Sequence, residues 1–181
     1  VIARARGAGV KMVLVGTQAS TSRAGIALAQ QYPDDMWATV GFHPTHTSGA
    51  QWYHDKHEQS AGEPELFNAE VFREIARDPK VVGIGECGLD YYRLPNNSSE
   101  IDSIKKKQKE VFLAQIEIAR ELDKALMIHC RPSKGTDDAY NDLLSLLSTT
   151  SSPLPKVVHF YVGSLEITKK LVDAGFYFTF G

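Results

Sequence analysis

The stretch Val81-Val-Gly-Ile-Gly-Glu86 decides the fold, because it is a run of apolar and small residues that ends in a carboxylate. Such a run, with no alternation between apolar and polar residues, is typical of a β-strand covered on both faces. Five further runs of the same kind are spread along the chain. The six predicted strands comprise residues 12–16, 37–42, 81–86, 126–130, 157–160 and 176–180.

Helical patterns lie between the predicted strands. Asn68 and Ser164 are predicted N-caps, and Gly175 is predicted to end the helix that Ser164 begins. Residues 100–124 carry an apolar stripe with Lys and Glu on the opposite face. Strands that alternate with helices pair in parallel, so the pattern predicts an α/β fold, either a TIM-type (β/α) barrel or a doubly wound sheet.

The chain is short for a closed (β/α) barrel. A closed eight-stranded barrel takes roughly 250 residues, whereas this chain has 181. Residues 1–9 look like the end of a helix with no strand before it, and the chain stops directly after the last predicted strand. We therefore expect residues 1–181 to form a single, incomplete barrel domain that is a fragment of a longer chain. Its first and last strands would be open sheet edges, which favour self-association.

Charge and composition limit the possible function classes. The net charge of −2 argues against a broad basic surface for nucleic acid. No segment approaches a membrane span and the N-terminus lacks the apolar core of a signal peptide, so a cytoplasmic location is expected. Cys87 and Cys130 lie in or beside apolar runs, and we expect them to be reduced and packed.

Four predicted strands end in a side chain that can bind a metal or transfer a proton: His43, Glu86, His129 and His159. All strands of a parallel barrel end at the same face, so these side chains are expected to converge. A single histidine at a strand end is more often an ordinary hydrogen-bonded residue than a metal ligand. A carboxylate beside the barrel core, in contrast, needs an ionic partner or a metal. Imidazole and carboxylate together suit a divalent metal. The predicted ligands are Glu86, His129 and His159, with His43 as a candidate contact to substrate.

Arg131 follows His129 by two residues and is expected at the same face. Its guanidinium suits either a substrate phosphate or a loop carboxylate such as Asp137. Three loop aromatics can either stack on unpaired bases or pack the loops; they are Trp52, Tyr91 and Tyr92.

Two other patterns carry less weight. A G-x-G-x-x-G pattern resembles the dinucleotide fingerprint, but a loop is predicted where that fingerprint needs a helix, so dinucleotide binding is rejected. His54 and His57 have H-x-x-H spacing without a nearby Cys, and exposed loop positions are expected for both. The glycines of the first pattern are Gly83, Gly85 and Gly88.

Four stretches together resemble a known family: Gly41-Phe-His-Pro, Gly85-Glu-Cys-Gly-Leu-Asp-Tyr, Met127-Ile-His-Cys-Arg and Val158-His-Phe-Tyr-Val-Gly. They are similar to the TatD family of metal-dependent deoxyribonucleases, which are amidohydrolase-like TIM barrels. The resemblance spans essentially the whole chain, from the family's second barrel strand to its seventh. The family's His-x-His pair on the first strand and its Asp at the end of the eighth have no counterpart in this chain.

The resemblance implies a hydrolase that cleaves phosphodiester bonds in DNA, single-stranded or at 3′ ends, with two divalent metal ions. These would be Mg²⁺, Mn²⁺ or Zn²⁺. It implies that Glu86 binds and can bridge the metals, that His129 and His159 are ligands, and that His43 and Arg131 contact the substrate. Two alternatives stay open. One is a hydrolase of small phosphate esters, lactones or cyclic amides, and the other is a non-catalytic, incomplete barrel that binds metal weakly.

Overall fold

A computed structural model of the chain describes residues 1–47, 65–148 and 154–181. Within these ranges six strands form one sheet, in which each strand pairs in parallel with the strand that follows it in the sequence. The strands are β1 (Met12–Leu14), β2 (Met36–Val40), β3 (Val81–Asp90), β4 (Ala125–Arg131), β5 (Lys156–His159) and β6 (Phe176–Phe178).

Helices alternate with these strands. They are α1 (Ile2–Gly7), α2 (Ala19–Gln31), α3 (Ala69–Ile75), α4 (Ser98–Glu121), α5 (Asp138–Ser148) and α6 (Leu165–Asp173), with a 3-10 turn at Pro44–His46. The predicted α/β fold with six strands is confirmed. A strand order that follows the sequence is that of a (β/α) barrel, whereas a doubly wound sheet reverses its order. In the part of the chain that the structure describes, β1 and β6 do not pair, so the sheet is open.

The predicted helix ends are confirmed by their hydrogen bonds. The Asn68 side chain accepts from the backbone N–H groups of the first turn of α3, and Ser164 does the same for α6. Gly175, with φ +76°, follows α6 in the left-handed conformation that favours glycine. Helix α4 begins slightly before the predicted range, because Asn97 caps it. None of the helices in the described ranges is both long and apolar enough to cross a membrane.

The hydrophobic core lies between the sheet and its helices. Register aligns Val40, Ile84 and Leu126 across three neighbouring strands, and all three are fully buried. Phe112 and Ile116 of α4 belong to the same buried cluster. Burying so many large apolar side chains against the central strands is the main stabilising contribution.

Strand β3 differs from the prediction, because it continues four residues past Glu86, to Asp90. Its glycines explain how it packs. A Cβ atom on Gly85 would lie 2.3 Å from the carbonyl oxygen of Met127, and one on Gly88 would lie 2.1 Å from that of His129. Both glycines also have positive φ, at +154° and +136°. The next helix begins only at Ser98, so the glycine pattern serves close packing between strands and not a helix that faces a pyrophosphate.

Candidate metal centre

Three of the predicted site residues come together near the C-terminal ends of β2, β3 and β4. Ligand atoms of His43, Glu86 and His129 all lie within 4.8 Å of one another. His43 follows β2, while Glu86 and His129 lie in β3 and β4. The rings of His43 and His129 meet nearly edge to face, with centroids 4.4 Å apart. Carboxylate oxygen and imidazole nitrogen are donors that suit a divalent metal ion.

His129 is held by carboxylates at both ring nitrogens. Its Nδ1 lies 3.1 Å from Glu86 Oε1, and its Nε2 lies 2.9 Å from Asp90 Oδ2. The side chains of Glu86, Asp90 and His129 are only 14%, 11% and 20% exposed, so little water competes for these contacts. With Nε2 donating to Asp90, Nδ1 is the nitrogen that can bind a metal beside Glu86.

Asp90 is a site residue that the sequence does not single out. The apolar run ends at Glu86, and the residues after it look like a loop, so Asp90 falls outside the predicted strand. Because residues at even spacing share one face of a strand, a longer predicted strand would have placed Asp90 beside Glu86. That spacing is the signal that could have found it.

His43 is oriented by the turn that follows it. The backbone N–H of Thr45 donates to His43 Nδ1 at 3.3 Å, and Thr45 Oγ1 lies 2.8 Å from the same nitrogen. A backbone N–H can only donate, so Nδ1 accepts. In the neutral ring the proton is then on Nε2, which makes His43 a hydrogen-bond donor.

His159 lies next to this group but is not part of it. The register of β4 and β5 pairs His129 with His159, so both residues are at the same level of the sheet. The His159 ring contacts Phe160, and its Nδ1 lies 3.0 Å from Thr179 Oγ1. Among the described residues the close group contains His43, Glu86 and His129 only. The role of His159 as a ligand stays a prediction.

The other side chains that the sequence analysis singled out have different surroundings. The Arg131 guanidinium lies 3.9 Å from the ring centroid of exposed Tyr92. Tyr91 is buried and donates from its hydroxyl to Asp142, so it packs the loop and is not free to stack on a base. No ion pair joins Arg131 to Asp137 in the described part of the chain. Outside the described residues lie Trp52, His54 and His57.

The pKa values of His43 and His129 are shifted in opposite directions. Burial lowers the pKa of His43 well below its usual value, and the positive charges of His129 and His46 lower it further. Burial also disfavours the charged form of His129, but hydrogen bonds with Asp90 and Glu86 raise its pKa to about 9. Burial raises the pKa of Asp90, yet the contact with His129 outweighs it and leaves this pKa below its usual value. Without metal, a protonated His129 therefore lies between two carboxylates.

The metal-free chain is expected to be most stable near pH 6.5, the usual pKa of histidine. Below that pH, His43 is protonated in the unfolded chain but stays neutral where it is buried in the folded chain. The free energy of unfolding therefore falls as the pH drops. Between pH 6.5 and about 9 the folded chain keeps a proton on His129 that the unfolded chain has lost, so stability falls as the pH rises. Each limb has a slope of at most about 1.4 kcal/mol per pH unit.

Urea unfolding in EDTA from pH 5.5 to 9 measures both limbs. His129→Gln is expected to flatten the alkaline limb and His43→Gln the acidic one. Stability that rises steadily up to pH 9 would contradict the proposed state of His129.

Fold and site together define a protein of the (β/α)-barrel type with a candidate metal centre at the C-terminal ends of its strands. The sequence profile of the family described as "TatD related DNase" matches residues 1–181. The chain belongs to this family.

Curated relatives carry the name 3′-5′ ssDNA/RNA exonuclease TatD. The protein of Salmonella typhimurium is 36% identical over 179 residues, which is 98% of this chain and 58% of the relative. That of Pectobacterium atrosepticum is 36% identical over 177 residues, 97% of this chain and 58% of the relative. The chain thus spans 58% of the length of these relatives.

Solved structures support the fold. A TatD homologue from Escherichia coli K12 superimposes with a TM-score of 0.66 at 24% identity, over 93% of this chain and 55% of the other. A TatD-family hydrolase from Entamoeba histolytica gives a TM-score of 0.63 at 21% identity, over 92% and 50% of the two chains. The predicted barrel-type architecture is therefore confirmed.

Proposed function

We propose that the chain carries metal-binding and substrate-binding residues of a hydrolase that removes nucleotides from the 3′ end of single-stranded nucleic acid. The observation that carries the proposal is the close group of His43, Glu86 and His129 near the C-terminal ends of β2, β3 and β4. The relatives named 3′-5′ ssDNA/RNA exonucleases support this choice of substrate.

Each residue of the group has its own proposed role. Glu86 and His129 Nδ1 hold a divalent metal ion, Mg²⁺, Mn²⁺ or Zn²⁺, and His159 on the adjacent strand is a further ligand, in a site for two ions. When bound, such a metal polarises a phosphoryl oxygen and makes a water molecule more acidic. Asp90 keeps the proton of His129 on Nε2.

His43 and Arg131 bind the substrate. The Nε2–H of His43 is directed away from Thr45 and can donate to a phosphoryl oxygen, which stabilises negative charge there. The Arg131 guanidinium suits a second phosphate. Tyr92, 42% exposed beneath Arg131, offers a ring on which an unpaired base can stack.

The test uses the purified chain with Mn²⁺, a single-stranded oligonucleotide labelled at its 5′ end, and a small chromogenic phosphate ester. We expect shortening of the oligonucleotide from its 3′ end. Tyr92→Ala should weaken its binding about tenfold, since stacking contributes roughly 1–3 kcal/mol per base, and should leave ester hydrolysis unchanged. Tyr177→Ala is the control, because Tyr177 lies on β6 and is 68% exposed.

The outcomes separate the alternatives. Hydrolysis of the ester with an intact oligonucleotide would replace the proposal by a small-ester hydrolase. Metal binding without turnover of either substrate would favour the non-catalytic barrel.

Location and assembly remain part of the proposal. The buried free thiols of Cys87 and Cys130 are compatible with a reducing, cytoplasmic compartment. Self-association through the edges of β1 and β6, and the single-domain organisation, stay predictions. Size-exclusion chromatography at several concentrations measures the first of these.

A further inference from the structure

Two buried glutamines of α4 bind the backbone at the ends of two strands. Gln115 accepts from the backbone N–H of Phe42 at 2.7 Å and donates to the carbonyl oxygen of Phe42 at 3.1 Å. Gln108 does the same for Asp90, at 2.8 and 3.0 Å. Each side-chain amide thus satisfies both polar backbone groups of one residue, as a neighbouring strand would.

The two contacts have a common geometry. Gln108 and Gln115 are seven residues apart, about two helical turns, so they lie on the same face of α4. Both side chains are buried, which is uncommon for glutamine and tolerated only when the amide is hydrogen-bonded. Phe42 lies just beyond β2, and Asp90 is the last residue of β3. Helix α4 therefore fixes both strands where the regular sheet stops.

Each bound residue leads directly to the candidate metal centre. Phe42 precedes His43, so Gln115 sets the position from which the His43 ring approaches His129. Asp90 binds His129 Nε2, so Gln108 sets the carboxylate that orients His129. We propose that Gln108 and Gln115 are positioning residues that hold His43 and His129 in register with Glu86. Only the expected change in metal affinity rests on the proposed function.

A purely structural role would also satisfy buried polar groups, so the test needs a readout at the histidines. The variants are Gln108→Met and Gln115→Met, which keep the length of the side chain and lose the hydrogen bonds of the amide. Ile116→Ala is the matched control, because Ile116 is equally buried in α4 and belongs to the apolar core. Gln115→Glu is expected to preserve the fold, because a protonated carboxyl group at this position offers the same donor and acceptor as the amide.

Two measurements are made on folded protein. Imidazole NMR signals of the metal-free chain report the ring environments of His43 and His129, and Mn²⁺ titration reports the affinity. We expect Gln115→Met to shift the His43 signals and Gln108→Met to shift those of His129. Mn²⁺ affinity should fall about tenfold or more in each, in the range found when outer-shell partners of metal ligands are replaced. Ile116→Ala should lower the unfolding midpoint with unchanged signals and affinity.

Unchanged imidazole signals in both Met variants, or equal shifts in Ile116→Ala, would overturn the inference. Shifted signals together with a wild-type chain that degrades no DNA would uphold the positioning role and contradict the proposed function. Intact DNA degradation with unshifted signals would contradict the positioning role alone.

Discussion

Glu86→Gln is expected to weaken Mn²⁺ binding at least a hundredfold and to remove the nuclease activity proposed above. Glu86 is the carboxylate of the close group, and its oxygen lies 3.1 Å from His129 Nδ1. An amide of the same shape is neutral and offers one weaker ligand oxygen, so the metal loses its main charge partner. The expected loss exceeds the 10–100-fold effect of replacing residues outside the ligand set. Isothermal titration with Mn²⁺ and the oligonucleotide assay measure it.

The matched control is Glu100→Gln, which makes the same chemical change at an exposed position in the first turn of α4. It should leave Mn²⁺ affinity within twofold of the wild type. Equal affinity in Glu86→Gln and the wild type would show that the metal binds elsewhere.

Gly88→Ala is expected to lower the free energy of unfolding by about 3 kcal/mol or more. A Cβ atom at this position would lie 2.1 Å from the backbone carbonyl oxygen of His129, which cannot swing aside as a flexible side chain could. The residue also has φ +136°, a conformation that strains any side chain. Strand β3 must therefore move away from β4, and the Glu86–His129 contact weakens with it. Urea unfolding and Mn²⁺ titration record the two effects.

Two glycine controls separate strain from collision. Gly135 has φ +76° with open space around its Cβ position, so Gly135→Ala should cost only about 1 kcal/mol of strain. Gly7 has open space and no positive φ, and in α1 alanine is the better helix former. Gly7→Ala should therefore be neutral or slightly stabilising. A Gly88→Ala variant no less stable than Gly135→Ala would rule out close strand packing at this position.

Strand and helix positions could be predicted because they depend on local patterns. Each of the six apolar runs contains a strand, and Asn68 and Ser164 cap helices as predicted. The end of β3 could not be predicted in this way. Gly88 and Asp90 look like loop residues in sequence, but pairing with β4 keeps them extended, and Gln108 of α4 binds the backbone of Asp90.

The candidate site shows the same division. Glu86, His43 and His129 stand out because a polar side chain ends an apolar run, and the structure brings these three together. Asp90 depends on the unexpected length of β3. Gln108 and Gln115 look like ordinary polar positions of an amphipathic helix, since nothing local reveals that they face strand ends 18 and 73 residues away.

The two carboxylates on β3 also determine how the His129 ring moves. Because Glu86 and Asp90 bind opposite nitrogens from one strand, a 180° flip of the imidazole would break both contacts at once. The ring is therefore preorganised, and its rotational entropy is lost when the chain folds rather than when a ligand arrives. Metal capture at this centre should then be fast and limited by release of the Nδ1 proton, with no slow rearrangement of the histidine.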